Sequence, residues 1–384
     1  MTPLGKARPS QPFKSSCFVS ARNPLNTLHV LDAKSRRLMP IWSPQQDAAL
    51  LAVSAWLKDP AAPQVFRLFG WAGTGKSTLA RYLAEGVKSV KYAAFTGKAA
   101  LVMRKKGCRG ASTIHSLIYT LVSEKEGEPR FALDPESEIT TADLVVIDEV
   151  SMVDEALATD LLSFGTKVLV LGDPFQLPPV QGAGYFTAHD PDIMLTEIHR
   201  QAADNPIIRM SMEIREGGYL EYGRYDESIV VPRSEVDREA VVTADQVLVG
   251  RNKTRVDYND RLRELKGLPR HEPVPGDRLV CLRNNPRKRL LNGQIWNATE
   301  VKSRSGNRFS MTLEPEEETT ATGRKVPAHV VTHAAFFSGE EDQLGWPERR
   351  RFDEFTFGYC LTVHKAQGSQ WDKVYLFDES FVFR

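Results

Sequence analysis

The chain is poor in cysteine, has no long apolar run and carries almost no net charge, and each of these features excludes a class of protein. Four cysteines in 384 residues, far apart and without a C-x-x-C pair, exclude a disulfide framework and a cysteine zinc site, and favour a reducing compartment. No apolar stretch reaches the roughly 20 residues of a membrane span, and the N-terminus lacks the apolar core of a signal peptide. Fifty basic and 49 acidic residues leave a net charge of +1, so any nucleic-acid surface must be local. We therefore expect a soluble, cytoplasmic protein.

A glycine-rich loop is the strongest motif that is present. Residues Gly70 to Ser77 read G-W-A-G-T-G-K-S and fit the pattern G-x-x-x-x-G-K-[ST], between an apolar run, Val65 to Phe69, and a helix-like segment, Thr78 to Ala84. In this context the glycines turn backbone N–H groups towards a phosphate, the lysine reaches the β- and γ-phosphates, and the serine binds Mg²⁺. The loop therefore predicts a nucleoside triphosphate with Mg²⁺, held by Gly73, Thr74, Gly75, Lys76, Ser77 and Thr78.

Two later strands end in residues that suit the same ligand. Leu144 to Ile147 is a buried-strand pattern followed by Asp148 and Glu149. Asp148 is expected to hold Mg²⁺ with Ser77, and Glu149 to orient or deprotonate the water that attacks the γ-phosphate. Taken alone, the pair is equally typical of a solvated acidic turn; its position after a phosphate-binding loop favours the metal site. The second strand, Val168 to Leu171, leads to Gln176, whose amide can sense a γ-phosphate.

Taken in order, these segments and several others resemble the motifs of superfamily 1 DNA helicases of the RecD-like, Dda-type branch, which moves 5′ to 3′. D-E-V-S-M at 148–152 and G-D-P-F-Q-L-P-P-V at 172–180 resemble motifs II and III. The further matches are S-P-Q-Q at 43–46 to the Q motif, F-T-G-K-A-A at 95–100 to motif Ia, A-S-T-I-H at 111–115 to motif Ib, L-T-E-I-H-R-Q at 195–201 to motif IV, and T-V-H-K-A-Q-G-S-Q-W at 362–371 to motif V. The resemblance extends from about residue 41 to residue 380.

The resemblance implies an α/β fold of two tandem RecA-like P-loop motor domains. Alternating strands and helices in the first half independently indicate a parallel α/β sheet. The expected boundaries are a basic, flexible tail at 1–40, a first motor domain at 41–190 and a second at 191–384. The first is expected to carry a β-hairpin insertion at about 116–138. This hairpin is either the pin that splits the duplex, with Phe131 or Tyr119 stacked on the last base pair, or a plain surface hairpin with its aromatic ring packed underneath. The second is expected to carry an SH3-like β-barrel insertion at about 273–345.

The resemblance also assigns site residues. ATP would be read by Gln46 and contacted by Gly368 and Gln370, and Arg200 would offset the charge on the γ-phosphate, so that hydrolysis would depend on Lys76, Glu149, Gln176 and Arg200. Single-stranded DNA would meet Thr96, Lys98, Thr113, His115, Phe131, Thr362, His364 and Lys365. Each of these is weak alone, because a lone threonine is more often a helix cap and a lone histidine a packing residue.

The implied activity is that of an ATP-dependent DNA helicase or translocase, bacterial or phage-encoded, acting as a monomer at junctions of single- and double-stranded DNA with replication or recombination proteins. Two departures stand against it. The family usually has glutamate where this chain has Gln370, and no counterpart of motif VI precedes Arg384, so we expect a chain truncated before motif VI or a variant with weakened turnover. The competing interpretation is an ATP-switched module that binds single-stranded nucleic acid with little unwinding. A small-molecule P-loop kinase, the third, would have no use for motif V.

Overall fold

The structure is a computed structural model, and it describes residues 29–31, 38–125, 128–179, 182–197, 205–304, 306–317 and 324–380. The predicted tail at 1–40 lies largely outside these ranges. Its last part contains two short strands, β1 (His29–Leu31) and β2 (Leu38–Pro40), which pair antiparallel. The end of the segment predicted to be flexible therefore has regular backbone pairing.

Six parallel strands build the first large sheet. They are β3 (Val65–Gly70), β4 (Val90–Ala94), β5 (Ser112–Thr113), β8 (Leu144–Asp148), β9 (Val168–Gly172) and β10 (Ile193–Leu195). Their order across the sheet is β10-β3-β9-β8-β4-β5, and all the neighbours run parallel. The predicted α/β class and the parallel sheet are confirmed.

Helices cover both faces of this sheet, which explains its uninterrupted apolar strands. One face is covered by α1 (Pro44–Lys58), α2 (Lys76–Leu83) and α3 (Gly97–Lys105), and the other by α4 (Ile114–Ile118) and α5 (Glu155–Leu162). Strand β8 shows the division: Leu144 and Val146 pack into the first core, whereas Val145 and Ile147 pack into the second. Successive side chains of a strand point to opposite faces, so one short run serves both cores.

A two-stranded hairpin leaves this domain after α4. Strands β6 (Tyr119–Lys125) and β7 (Glu128–Leu133) pair antiparallel, with a register shift between Leu121 and Ser123. The pairing lies inside the range 116–138 in which the sequence predicts strand, turn and strand. A short 3-10 turn at Glu138–Thr141 returns the chain to β8.

A second, smaller parallel sheet follows in the chain. Helix α6 (Pro206–Arg215) and a short hairpin of β11 (Gly223–Tyr225) and β12 (Ser228–Val230) precede it. Its strands are β13 (Gln246–Val249), β19 (Cys360–Thr362) and β20 (Val374–Leu376), in the order β19-β13-β20. The adjoining helices are α7 (Arg238–Thr243), α8 (Asn252–Leu265) and α11 (Val363–Ala366).

An antiparallel sheet of five strands is inserted between β13 and β19. It consists of β14 (Arg278–Cys281), β15 (Ile295–Arg304), β16 (Arg308–Pro315), β17 (Ala328–His333) and β18 (Phe355–Phe357), in the order β17-β16-β15-β14-β18. Two short helices, α9 (Ala335–Ser338) and α10 (Trp346–Arg349), connect β17 to β18. The predicted insertion boundary at residue 345 leaves out β18, because the buried Phe355–Phe357 run leads into β19 with little turn signal. Among the described residues, no helix combines the length and the apolar character needed to cross a membrane.

Candidate nucleotide site and nucleic-acid interface

The glycine-rich loop lies at the carboxyl edge of the six-stranded sheet, between β3 and α2. Gly73 and Gly75 have φ values of 82° and 83°, in the left-handed region that side chains rarely adopt, so the loop requires glycine at both positions. The N-cap of α2 is Gly75, which has no side chain that could cap the helix. The first N–H groups of this helix are therefore available to an anion such as a phosphate.

Lys76 bridges the mouth of this loop. Its Nζ donates to the carbonyl oxygens of Gly70 at 2.5 Å and Trp71 at 2.8 Å. Burial lowers the pKa of the Lys76 ammonium, and the negative charge of Asp173 is the largest effect that opposes this. The ammonium is thus positioned at the place where the motif puts a β- or γ-phosphate.

Gln46 supports the loop from behind. Its Nε2 donates to the carbonyl oxygen of Thr74 at 2.9 Å, and its Oε1 accepts from the backbone N–H of Ser43 at 3.0 Å, closing the capping box of α1. The amide is buried and engaged within the protein, so this geometry favours a supporting role over the predicted direct reading of adenine. The reason is local: Gln46 stands at the third position of a helix whose N-cap is Ser43, where a glutamine turns back to the cap.

The two carboxylates after β8 differ in their surroundings. Asp148 is buried, and its Oδ1 accepts from the N–H of Glu149 at 2.9 Å. Glu149 has a φ of 58°, an unusual value for a residue with a side chain. Burial and the charge of Asp148 raise the pKa of Glu149 to about 7, while Lys76 acts against them. A carboxylate with this pKa is suited to accept a proton near neutral pH.

Motif III meets motif II through close backbone packing. A Cβ on Gly172 would lie 2.7 Å from Val150 Cγ2, so this strand end needs glycine. Next to it, the Ser151 hydroxyl donates to Gln176 Oε1 at 3.2 Å. Asp173 is fully buried, and its Oδ2 accepts from Arg215 Nη2 at 2.6 Å. The sequence interpretation named Gln176 but missed Ser151, Asp173 and Arg215.

A cavity of 490 Å³ lies beside these groups and is lined from both parallel sheets. Glu149, Phe175 and Gln176 line it from the first, and Gly368 and Gln370 line it from the motif V segment of the second. The structure therefore brings the predicted nucleotide residues of motifs II, III and V together. Arg200 lies outside the described residues.

Ser77 and Asp148 fit the expected Mg²⁺. Within the parts of the chain that the structure describes, no group of three or more His, Cys, Asp or Glu side chains is placed to hold a metal ion. Mg²⁺ commonly takes only one or two protein ligands and completes its shell with phosphate oxygens and water. The hydroxyl of Ser77, in the loop, and the carboxylate of Asp148, at the end of β8, would therefore be a sufficient protein contribution.

The three threonines predicted to meet DNA are all helix N-caps. The hydroxyls of Thr96, Thr113 and Thr362 accept from the third backbone N–H of their helices at 3.1, 3.2 and 3.3 Å respectively. Each stands at the end of a parallel strand, before α3, α4 and α11. All three threonines therefore act as helix caps in this structure. The three helix N-termini that they cap lie at the carboxyl edges of the sheets, where backbone N–H groups suit phosphates.

The other predicted DNA residues differ in exposure. Lys98 is 7% exposed and bound to Glu317 Oε1 and Ser369 Oγ, both at 2.7 Å, so it is not free to meet a phosphate in this structure. His115 packs its ring against Phe95 and Tyr119. His364 and Lys365 are both half-buried. Burial and the positive charge of nearby Arg255 lower the pKa of the Lys365 ammonium. Phe131 is 63% exposed on β7, as a stacking residue requires.

Comparisons with known proteins agree with this geometry. A family model described as an AAA domain matches residues 43–231, and one described as a UvrD-like helicase C-terminal domain matches residues 357–384. The ATP-dependent RecD2 DNA helicase of Deinococcus radiodurans is 31% identical over 336 residues, 80% of this chain and 42% of that protein. The ATP-dependent DNA helicase dda of Enterobacteria phage T4 is 31% identical over 164 residues, 38% of this chain and 37% of that protein. The chain thus spans about two fifths of the length of these relatives.

Solved structures of Pif1 helicases share the fold. The Bacteroides Pif1 helicase in complex with ADP-AlF3 and ssDNA has a TM-score of 0.53 at 18% identity, over 89% of this chain and 87% of that chain. A structure of two coordinating Pif1 helicases, on DNA unwinding at forked dsDNA, has a TM-score of 0.53 at 19% identity, over 88% and 86%. The chain is thus similar in sequence to superfamily 1 helicases of the RecD-like, Dda-type branch, and it shares its fold with the Pif1 helicases.

Proposed function

We propose that the protein is an ATP-dependent DNA helicase that moves along single-stranded DNA from 5′ to 3′ and unwinds duplex DNA. One observation carries the proposal. The cavity is lined by Glu149 and Gln176, which follow strands of the first parallel sheet, and by Gly368 and Gln370, which follow a strand of the second. The charge of Glu149 also acts on Lys76 of the glycine-rich loop. A nucleotide bound there would contact both sheets, so its hydrolysis would change how they are held together.

Each residue of the loop region has a distinct role in this proposal. Lys76 binds the β- and γ-phosphates, and Glu149 takes a proton from the attacking water. Gln176 contacts the γ-phosphate side of the cavity, and its bond to Ser151 links motif III to motif II. When bound by Ser77 and Asp148, Mg²⁺ would neutralise phosphate charge.

The domain boundaries follow from the two sheets. The first motor domain begins at about residue 41 and includes β10 (Ile193–Leu195), an edge strand of the six-stranded sheet, so it extends past the predicted boundary at residue 190. It has the hairpin β6–β7 as its pin. The second motor domain follows β10 and has the antiparallel sheet β14–β18 as the SH3-like insertion. Single-stranded DNA would cross the N-termini of α3, α4 and α11, where backbone N–H groups and threonine hydroxyls contact phosphates without reading bases. The Bacteroides Pif1 complex, which contains ssDNA, supports this use of the fold.

Strand displacement tests the proposal and its alternative together. A forked duplex with one labelled strand should be separated in the presence of Mg²⁺ and ATP, and should stay annealed with a non-hydrolysable ATP analogue. An ATP-switched binding module would retain the fork in both cases while its affinity for single strands changed with the nucleotide. That second result would reject the helicase. Forks with a single 5′ or 3′ arm determine the direction.

A further inference from the structure

Arg215 is held at the nucleotide site by the way its helix ends. Helix α6 begins after the N-cap Asn205, whose side chain accepts from the N–H of Ile207 at 2.9 Å. It ends just after Arg215, where Gly217 has a φ of 84° and the N–H of Gly218 donates to the carbonyl oxygen of Glu213 at 2.9 Å. This glycine C-cap fixes the last turn of the helix, and with it the position of the arginine side chain.

The guanidinium of Arg215 is half-buried against motif III. Its Nη2 lies 2.6 Å from Asp173 Oδ2, and the two side chains are 14% and 0% exposed. Its central carbon lies 5.7 Å from the centre of the Phe175 ring. Asp173 Oδ1 accepts from the N–H of Phe175 at 3.1 Å. Motif III therefore holds a cation that comes from a helix outside the six-stranded sheet.

This cation is close enough to the loop to act on Lys76. Burial has the largest effect on the pKa of Lys76, followed by the charges of three neighbouring carboxylates. The positive charge of Arg215 has a smaller effect and lowers this pKa. Among the described residues, the carboxylates of Asp148, Glu149 and Asp173 and the cation of Arg215 all act on the charge of Lys76. A bound triphosphate adds more negative charge, so the site needs every cation that it holds.

Arg215 has donors to spare for such a ligand. A guanidinium carries five N–H donors, and among the described residues it makes one hydrogen bond, to Asp173. Its planar fork suits a phosphate as well as it suits a carboxylate. Phe175, against which it lies, lines the cavity beside Glu149 and Gln176.

We propose that Arg215 is a γ-phosphate ligand, a cation that α6 delivers to the nucleotide and that Asp173 holds in position. This proposal rests on the proposed function, because it requires ATP to bind at the glycine-rich loop. The competing role is purely structural: Arg215 would only neutralise the buried carboxylate of Asp173. The two roles differ in how they treat ATP and ADP, since only ATP has a γ-phosphate.

Equilibrium titration with fluorescent ADP and with a fluorescent non-hydrolysable ATP analogue, both with Mg²⁺, separates them. Arg215→Gln should weaken binding of the ATP analogue about 10- to 100-fold, the loss expected for a charge-assisted hydrogen bond, and should change ADP binding less than about threefold. Arg215→Lys should recover part of the loss because it keeps the charge. Arg209→Gln is the matched control, because Arg209 lies on the same helix, is exposed and pairs with Asp226; both affinities should stay unchanged.

The double variant Asp173→Asn/Arg215→Gln tests the structural role directly. If Arg215 only neutralises Asp173, then removing both charges restores ATP-analogue affinity to that of Asp173→Asn, and the proposal is overturned. An equal loss for ADP and the ATP analogue in Arg215→Gln also overturns it. Retained ADP binding shows that the variants are folded. A wild-type protein that binds neither nucleotide would refute the proposed function itself, an outcome distinct from those that refute Arg215 alone.

Discussion

Glu149 combines an unusual backbone conformation with a raised pKa. Its φ of 58° costs about 1–2 kcal/mol for a residue that has a Cβ, a strain that persists only where the surrounding structure imposes it. Asp148 is the last residue of β8, whereas Glu149 has left-handed backbone and precedes a 3-10 turn, so the two adjacent carboxylates leave the strand end in different backbone conformations. Sequence alone supports the pair of carboxylates but does not predict this turn.

Two substitutions separate nucleotide binding from the chemical step. Glu149→Gln is expected to keep Mg-ATP affinity and to lower turnover by about 10²-fold or more, because only the proton acceptor is removed. Lys76→Ala should weaken both, because the phosphate contact is lost. Nucleotide titration and steady-state phosphate release measure the two quantities. Undiminished turnover in Glu149→Gln would contradict the catalytic assignment.

The contact between Lys98 and Glu317 predicts a competition with DNA. Glu317 forms an ion pair with the Lys98 ammonium, which the resemblance to motif Ia predicts to contact a DNA phosphate. Glu317→Gln should therefore raise the affinity for single-stranded DNA by about 2- to 5-fold at low salt, in keeping with the modest strength of a partly exposed ion pair. Fluorescence anisotropy with a labelled oligonucleotide measures this.

Glu300→Gln provides the control for charge alone, because Glu300 is exposed on β15 and lies beside Lys302. An equal gain in both variants would show a general electrostatic effect and would reject the competition. Adding Lys98→Ala to Glu317→Gln should abolish the gain in affinity for single-stranded DNA.

How far the sequence predicts single residues depends on how local their roles are. Lys76 and Glu149 follow from motifs in which neighbouring residues fix the geometry. Arg215 does not, since its partner Asp173 is 42 positions away and nothing in its own segment marks a phosphate ligand. The ion pair of Lys98 is equally hard to predict, because its partner Glu317 is 219 positions away and lies in no motif.

At the scale of elements, the hairpin β6–β7 presents an exposed aromatic side chain. Phe131 is paired in register with Leu121 and is 63% exposed, and burying such a ring against a base pair would be favourable. Stacking of a base on an aromatic ring is worth about 1–3 kcal/mol. A pin at the fork would use this ring to hold the separated bases apart.

Phe131→Ala is accordingly expected to slow strand displacement on a fork about tenfold and to leave ATP hydrolysis stimulated by single-stranded DNA unchanged. Leu133→Ala is the matched control on the same strand, also exposed, and should do neither. Equal loss of hydrolysis and displacement in Phe131→Ala would show that the residue supports the motor and is not a pin.

A buried ion pair ties α8 to the antiparallel sheet. Arg263 and Asp277 are both fully buried and bonded to each other, and the guanidinium also donates to the carbonyl oxygens of Pro269 and Glu272. Arg263→Met should lower the free energy of unfolding by about 3–5 kcal/mol, because it leaves the Asp277 carboxyl buried without its cation. Arg261→Met, an exposed pair member on the same helix, should have little effect.

Chemical denaturation measures both variants. If Arg263→Met lowered the free energy of unfolding as little as Arg261→Met, the buried pair would not stabilise the contact between α8 and the antiparallel sheet. The sequence does not predict this pair. Its helix has many charged and few apolar residues, a pattern that indicates an exposed helix and not a buried arginine. Strands β3, β8 and β9 of the first sheet, in contrast, are predictable, because each is a run of mostly apolar residues that leads into a motif.

At the scale of the whole molecule, motif Ia contacts both the antiparallel insertion and motif V. A Cβ on Gly97 would lie 2.8 Å from Leu291 Cδ2 of the insertion, and Lys98 donates to Ser369 Oγ of the motif V segment. The same segment supplies Gly368 and Gln370 to the cavity that Glu149 and Gln176 line. Motif Ia and motif V are therefore joined directly, so a change at the nucleotide would be felt where DNA is expected to bind.

Steady-state ATP hydrolysis with and without single-stranded DNA tests this coupling most directly. The account predicts that a saturating oligonucleotide raises the rate of phosphate release about 5- to 150-fold, the range of typical coupling free energies between two sites. It also predicts that the stimulation is lost in Glu149→Gln and is independent of oligonucleotide sequence. A rate that is measurable but the same with and without DNA would contradict the central claim that this site drives movement along a single strand.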